Sequence, residues 1–171
     1  MPIPDPTPTK QGLPPIVDRE VRVLVLGSLP GDASLSAQAY YAHPRNAFWP
    51  IMAALLQVRF DIDWPQRYAT LLTHGIGLWD VIGRAERQGS LDTRLRRIEA
   101  NSLPALLADL PALRAVAFNG GTAARLGLPQ VPAGIASLAL PSTSPAHTLK
   151  LVDKIEAWRA LEPWLVPPSG R

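Results

Sequence analysis

Apolar positions along this chain fall into two kinds of run. Short, nearly continuous runs rich in β-branched residues read as strands buried on both faces. Val21 and Val23 to Leu26, closed by Gly27, form the first, and residues 114–118 and 135–140 supply two more. Residues 76–82 read as a short strand or extended segment. Helical spacing marks the other kind. Phe48, Ile51, Met52 and Leu55 follow Asn46 as N-cap, with Pro50 in the first turn, where a missing N–H costs little. Further helices are predicted over 66–73, stopped by Gly75; over 91–98, capped by Ser90; around Leu103, Leu106, Leu107 and Leu110; after the turn from Asn119 to Thr122, ending at Gly127; and over 149–165, where Leu151, Ile155, Trp158 and Leu161 share a face. Strands alternating with helices imply an α/β fold, a three-layer α/β/α sandwich.

The ends read differently. Of 19 prolines in 171 residues, Pro2, Pro4, Pro6, Pro8, Pro14 and Pro15 crowd the start, and Pro167 and Pro168 stand near the end. Alternating prolines deny the backbone its ladder donors. The expected organisation is a flexible Pro-rich arm over 1–18, one domain over 19–166 and a tail over 167–171. A hydrophobic fraction of 47% with 18% charged residues fits one core of that size.

Composition narrows the chemistry. With no cysteine, thiolate metal sites, disulfides, a cysteine nucleophile and cysteine-ligated iron–sulfur clusters are excluded. The start is polar and Pro-rich, without an apolar signal segment, and no apolar run reaches the roughly 18–20 residues of a membrane span. A soluble, cytoplasmic protein is expected, without membrane contact. The net charge is +3, and all basic residues except Lys10, Lys150 and Lys154 are arginines, whose planar forks suit phosphates and bases. The most basic stretch is 84–97, with five arginines against Glu86 and Asp92, either a solvated face or one turned to DNA.

Residues 27–46 form a long loop after a central strand, the place where open α/β sheets hold ligands. Its opening, Gly27-Ser28-Leu29-Pro30-Gly31, is no dinucleotide or P-loop turn, because the Gly-x-Gly-x-x-Gly and Gly-Lys-Ser/Thr patterns are absent and Pro30 removes a donor. His43, His74 and His147 lack metal-ligand spacing, and Ser28 lacks a nucleophile-elbow context, so neither metal nor covalent serine chemistry is expected. No cofactor is implied.

Three segments together are more specific: Gly27 to Gly31; Tyr40-Tyr41-Ala42-His43-Pro44-Arg45-Asn46-Ala47-Phe48-Trp49; and Leu140-Pro141-Ser142-Thr143-Ser144-Pro145-Ala146. Over roughly residues 20–160 the chain resembles the uracil-DNA glycosylase superfamily, and within it the hypoxanthine-DNA (deoxyinosine) glycosylase branch. Gly75 to Asp80 and Gly89 to Asp92 look like that branch as well. The resemblance implies a central, mainly parallel four-stranded sheet and a monofunctional glycosylase of base excision repair. Such an enzyme flips a deaminated base out of DNA, hypoxanthine first and uracil or xanthine second, and hydrolyses its N-glycosidic bond. Double-stranded DNA carrying that base is the implied partner, with single-stranded DNA as a second form, and the protein is expected to act as a monomer.

The resemblance also assigns residues. Gly27, Ser28, Leu29, Pro30 and Gly31 would line the base pocket and Tyr41 would stack on the base. Much of the superfamily has Asp or Asn where Leu29 stands, to position water; leucine cannot, and the branch points instead to Asn46. An amide is a weak base, so Asn46 would orient water against a sugar cation formed as the base departs, with DNA phosphates stabilising the cation. Ser142, Thr143, Ser144 and Pro145 would grip phosphates, as would Arg45, and His147, standing where relatives are expected to carry Asn, would also contact the DNA, at the leaving base or a phosphate. His43 reads as a loop pin, Asp80 and Asp92 as caps or salt-bridge partners, and Trp49, Trp79 and Trp158 as core. No lysine falls in these loops, so a Schiff-base lyase step is not expected. The rival reading is a non-catalytic nucleic-acid-binding module of the same fold, for which Leu29 is the argument.

Overall fold

The computed structural model describes residues 6–166. Four five-residue strands, β2 (Val23–Gly27), β3 (Ile76–Asp80), β6 (Ala115–Asn119) and β7 (Ala136–Leu140), pair in parallel in the order β3-β2-β6-β7. The two-residue alternation along these strands separates two cores. Val23, Val25, Ile76, Leu78, Ala115 and Ala117 face one side, where they meet Phe48, Ile51 and Met52 of α2 (Phe48–Leu56), Leu71 of α3 (Trp64–Thr73) and Trp158 of α6 (Leu151–Trp158). Leu24, Leu26, Val116 and Phe118 face the other, against Leu103 and Leu107 of α4 (Leu103–Ala108) and Ala123 of α5 (Gly121–Gly127). The result is the expected α/β/α sandwich around a parallel four-stranded sheet.

Several local expectations give way. Residues 91–98 are not a helix: a 3₁₀ turn over Asp92–Arg94 leads into β5 (Arg96–Ala100), which pairs antiparallel with β4 (Ile82–Glu86). A second sheet, β1-β4-β5, is completed by β1 (Thr9–Gln11) from the segment expected to be a flexible arm. Over residues 9–17 that arm is ordered: Leu13 is buried, its carbonyl and that of Pro14 accept from the Tyr40 hydroxyl, and Ile16 bridges Leu78. Prolines at 14 and 15 leave these carbonyls free to accept even though they remove two donors. The earliest residues of the expected arm, 1–5, and the expected tail, 167–171, lie outside the described residues. The helix expected over 149–165 is broken into α6, a 3₁₀ turn at Arg159–Leu161 and α7 (Glu162–Leu165), the last carrying Pro163 in its first turn. Among the described residues no helix is long and apolar enough to cross a membrane.

Candidate active site

Parallel register brings a row of C-terminal strand residues together on one face of the sheet. Gly27 pairs with Asp80 on β3; across β2, Leu26 pairs with Phe118, which places Asn119 beside Gly27, and Asn119 pairs with Leu140. Along each strand these positions continue the apolar phase of the core, yet two of them are polar. They floor a cavity of about 430 Å³ whose walls are the loops after β2, β4 and β7 and the segment before α2. This volume lies in the range of small-molecule sites.

Of the residues assigned from sequence to the base pocket, to catalysis or to DNA contact, all but Arg45 border this cavity. Gly27 to Gly31 form one wall. Gly27 has no side chain because a Cβ there would lie 2.6 Å from Asp80 Oδ1 and 3.5 Å from the Tyr41 hydroxyl. Ser28 is buried and donates from Oγ to Asp92 Oδ1 at 2.7 Å. Leu29 is 6% exposed and packs into the second core, so its side chain leaves the water-positioning place vacant of polar atoms.

The wall is held from behind by a residue the sequence did not single out. Arg87, counted there within a basic surface stretch, is fully buried; its Nη2 donates to the Pro30 carbonyl and its Nε to that of Gly89, both at 2.6 Å, with a longer 3.5 Å contact from Nη1 to Leu29 O. Burial lowers its proton affinity, while Asp32, Asp92 and Asp80 oppose that. The other arginines of the stretch, Arg84, Arg94, Arg96 and Arg97, are exposed.

Opposite stands the segment before α2. Tyr41 adopts φ 55°, the left-handed region that costs a bulky residue energy and that persists mainly at functional sites. Its carbonyl accepts from Trp49 Nε1, and its ring stacks on Phe48 at 4.2 Å between centroids. One ring face is thus committed to the core. The Tyr41 hydroxyl is buried without a hydrogen-bond partner of good geometry, and burial followed by the Asp80 charge raises its pKa against the pull of the nearby Asn119 side chain. Asn46 lies at the wall with Oδ1 accepting from Phe48 N at 3.0 Å, the capping role expected of it, although Ala47 is the last residue before the helix proper. Its Nδ2 hydrogens and a second Oδ1 lone pair are left for a water. His43 pins the loop as expected: Nδ1 accepts from Arg45 N at 3.0 Å, and Arg45 itself is exposed beside the cavity.

The third wall is the loop after β7. Ser142 Oγ accepts from Ser144 N and Ser144 Oγ from Ala146 N, so both hydroxyls shape the turn they stand in. Thr143 departs from the phosphate contact expected of it. It is 1% exposed, and its N and Oγ1 are both bonded to the Asn119 side chain at 2.9 Å. Asn119 therefore ties this loop to the sheet, and Ala47 N, donating to Thr143 O, ties it to α2. Pro145 and the exposed His147 complete the rim. Although no lysine lies in the loop, Lys154 of α6 is buried beneath it and donates to Ser144 O and His147 O at 3.3 and 2.9 Å.

Asp80 is the residue whose surroundings differ most from expectation. Neither cap nor salt-bridge partner, its side chain is 3% exposed, with Oδ2 unpartnered. Burial first, then the negative charge of Asp92, push its carboxyl up to about 7 against the pull of Arg87. The sequence held one signal for Asp80 and Asn119: in IGLWD and AVAFN the last residue occupies the phase that period-two alternation assigns to the core.

Comparison with known proteins bears on this arrangement. Residues 14–162 match the model of the "Uracil DNA glycosylase superfamily". A hypoxanthine DNA glycosylase of Methanosarcina barkeri is 34% identical over 150 residues, 87% of this chain and 95% of that protein. Another of the same name from Methanosarcina acetivorans is 33% identical over 153 residues, covering 89% and 97%. The solution NMR structure of a uracil DNA glycosylase candidate from Methanosarcina acetivorans superposes with a TM-score of 0.78 at 33% identity, over 90% of this chain and 99% of that one.

Proposed function

The chain belongs to the uracil DNA glycosylase superfamily, and from that premise we propose that it excises hypoxanthine from double-stranded DNA as a monomeric, monofunctional glycosylase. Uracil and xanthine are secondary substrates, and single-stranded DNA is a second acceptable form. The observation that carries this reading is the convergence of three loops, far apart in sequence, on one cavity that presents Tyr41 and Asn46 and holds two unpartnered buried polar atoms. An orphaned buried polar group costs about 1–3 kcal/mol, and a ligand with matching edge groups recovers it.

A flipped base enters between the Gly27 to Gly31 wall and Tyr41. Asn46, fixed by its bond to Phe48 N, holds a water near the sugar, and departure of the base leaves a cation that the flanking phosphates stabilise. Since Asn46 cannot take a proton strongly, the reaction is carried by bond breaking ahead of water attack. Ser142, Ser144 and Arg45 face the backbone, and exposed Arg94, Arg96 and Arg97 extend the basic surface. Among the described residues no lysine borders the cavity, and Lys154 is occupied with loop carbonyls, which favours hydrolysis over a Schiff-base route.

The test uses duplexes carrying a single deoxyinosine, deoxyuridine or deoxyxanthosine, incubated with the purified protein, treated with alkali and sized on a gel. Strand scission after alkali is expected, greatest with deoxyinosine, and Asn46→Ala should lower the rate about 100-fold or more while leaving DNA affinity within a few-fold. Binding without scission of any duplex would instead support the non-catalytic module.

A further inference from the structure

We propose that Asp80 is the acid of this site, giving its carboxyl proton to the base as the N-glycosidic bond breaks and so favouring purines as leaving groups. The inference rests on the glycosylase reading and assigns the proton that reading leaves without a source.

Geometry comes first. Asp80 ends β3, and its carboxyl lies across the bare backbone of Gly27 on the cavity floor, with Oδ1 2.6 Å from where a Cβ at position 27 would stand. Oδ2 has no partner although the residue is almost fully buried, and the Tyr41 hydroxyl beside the same glycine is likewise unpartnered. The third orphaned side-chain atom among the described residues, Arg22 Nε, lies at the opposite end of β2, on a residue bonded to His74 O and Leu165 O. Two adjacent orphans on the floor of one cavity mark a place built for a ligand edge, whereas the side chains of Ser28, Asn119, Ser142 and Thr143 are already bonded within the protein.

The charges around Asp80 keep it able to hold a proton. Asp92, from the turn after β4, faces it with like charge and is fixed by Ser28. Arg87, just after β4, is the one cation among the described residues that acts on it, and its fork is committed to the carbonyls of Pro30 and Gly89. Tyr40 and Tyr41, from the segment after α1 (Asp32–Ala37), stay neutral, their ionisation opposed by burial and by Asp80 itself. Burial pushes the Asp80 carboxyl up to about 7, which leaves both protonation states accessible near neutrality.

The other titratable and polar residues of the cavity are placed differently: Asn46 carries no acidic proton, Leu29 points into the core, His147 is exposed at the rim, His43 Nδ1 accepts from Arg45 N, Asp32 is held by Lys10, and Asp92 already accepts from Ser28. In the proposed step the C1′–N9 bond breaks and its electron pair passes to the base. The Asp80 proton moves to a ring nitrogen or the carbonyl oxygen of that base, which leaves neutral. Water adds to C1′ and releases a proton to solvent, and solvent returns one to Asp80. Hypoxanthine has basic ring nitrogens that uracil lacks, so proton donation helps the purine more.

Single-turnover excision of deoxyinosine and deoxyuridine, measured from about pH 5 to about pH 9 for wild type, Asp80→Asn and Asn46→Ala, tests this. The wild-type rate on deoxyinosine should fall about tenfold per pH unit above the ionisation of Asp80. Asp80→Asn keeps shape and a hydrogen-bond donor but has no proton to give. It should lose about 100-fold on deoxyinosine at the acidic end, lose less on deoxyuridine, and show a flat profile. A wild-type rate and profile in Asp80→Asn, with Asn46→Ala impaired, overturns the role of Asp80 and leaves the glycosylase reading standing. Wild-type protein that excises neither base overturns that reading itself. Should Asp80→Asn fail to fold, the wild-type profile decides, and a deoxyinosine rate independent of pH overturns the proposal.

Discussion

A carboxylic acid buried without a partner is a cost that the folded protein carries whether or not DNA is present. Because the folded-state pKa of Asp80 is raised from 3.8 to about 7, the folded chain binds a proton there more tightly than the unfolded chain. Its contribution to stability is therefore complete below about pH 4 and is lost as pH rises through about 7. Thermal unfolding should show the difference between wild type and Asp80→Asn growing over this window, with the variant the more stable by a few kcal/mol at pH 8. A constant difference across pH would place the carboxyl in contact with a cation or solvent instead. The gain in stability should accompany the loss of purine excision, the usual exchange at a strained site.

At the scale of elements, the pocket wall of residues 27–31 is held by Arg87, the residue that follows β4. Arg87→Ala removes the donors that satisfy the Pro30 and Gly89 carbonyls. Denaturant unfolding should show a loss of about 2–4 kcal/mol, and Arg87→Lys should recover little of it, since an ammonium cannot span two diverging carbonyls. The central strands and the three site loops were legible in the sequence because full burial on both faces leaves a nearly continuous apolar signature, and because Tyr41, Asn46 and the Ser142 to Ser144 turn stand at strand and helix ends. The second sheet was not. Leu91, Leu95 and Ile98 repeat with helical spacing, yet β5 is an exposed edge strand whose residues alternate against nothing, so period carries no information there. Arg87 escaped for a related reason: an arginine among arginines reads as surface, and only the folded loop reveals carbonyls for it to serve. Thr143 was misplaced because a hydroxyl's partner, here Asn119, lies on another strand.

Seen whole, the molecule closes on its own beginning. Pro8 O accepts from Arg87 N, β1 pairs with β4, and Lys10 Nζ bonds Asp32 Oδ1 at 2.7 Å, so residues 8–11 brace both the arginine that holds the pocket wall and the helix that follows that wall. A chain lacking residues 1–12 should keep the parallel sheet but melt roughly 2–6 °C lower by calorimetry, a loss of about 1–2 kcal/mol, and excise deoxyinosine more slowly. An unchanged melting temperature would show that β1 contributes only cover. The anchoring of the wall has one more outcome. Apart from an ion pair with Asp32 at 3.8 Å, Arg87 grips main-chain oxygens and leaves the side chains at 28–31 out of the bond. Where the side chain serves neither the core, as Leu29 does, nor a neighbouring bond, as Ser28 does with Asp92, the architecture of the wall is thereby uncoupled from its lettering, which makes positions 30 and 31 the natural ones to randomise when selecting for altered base preference.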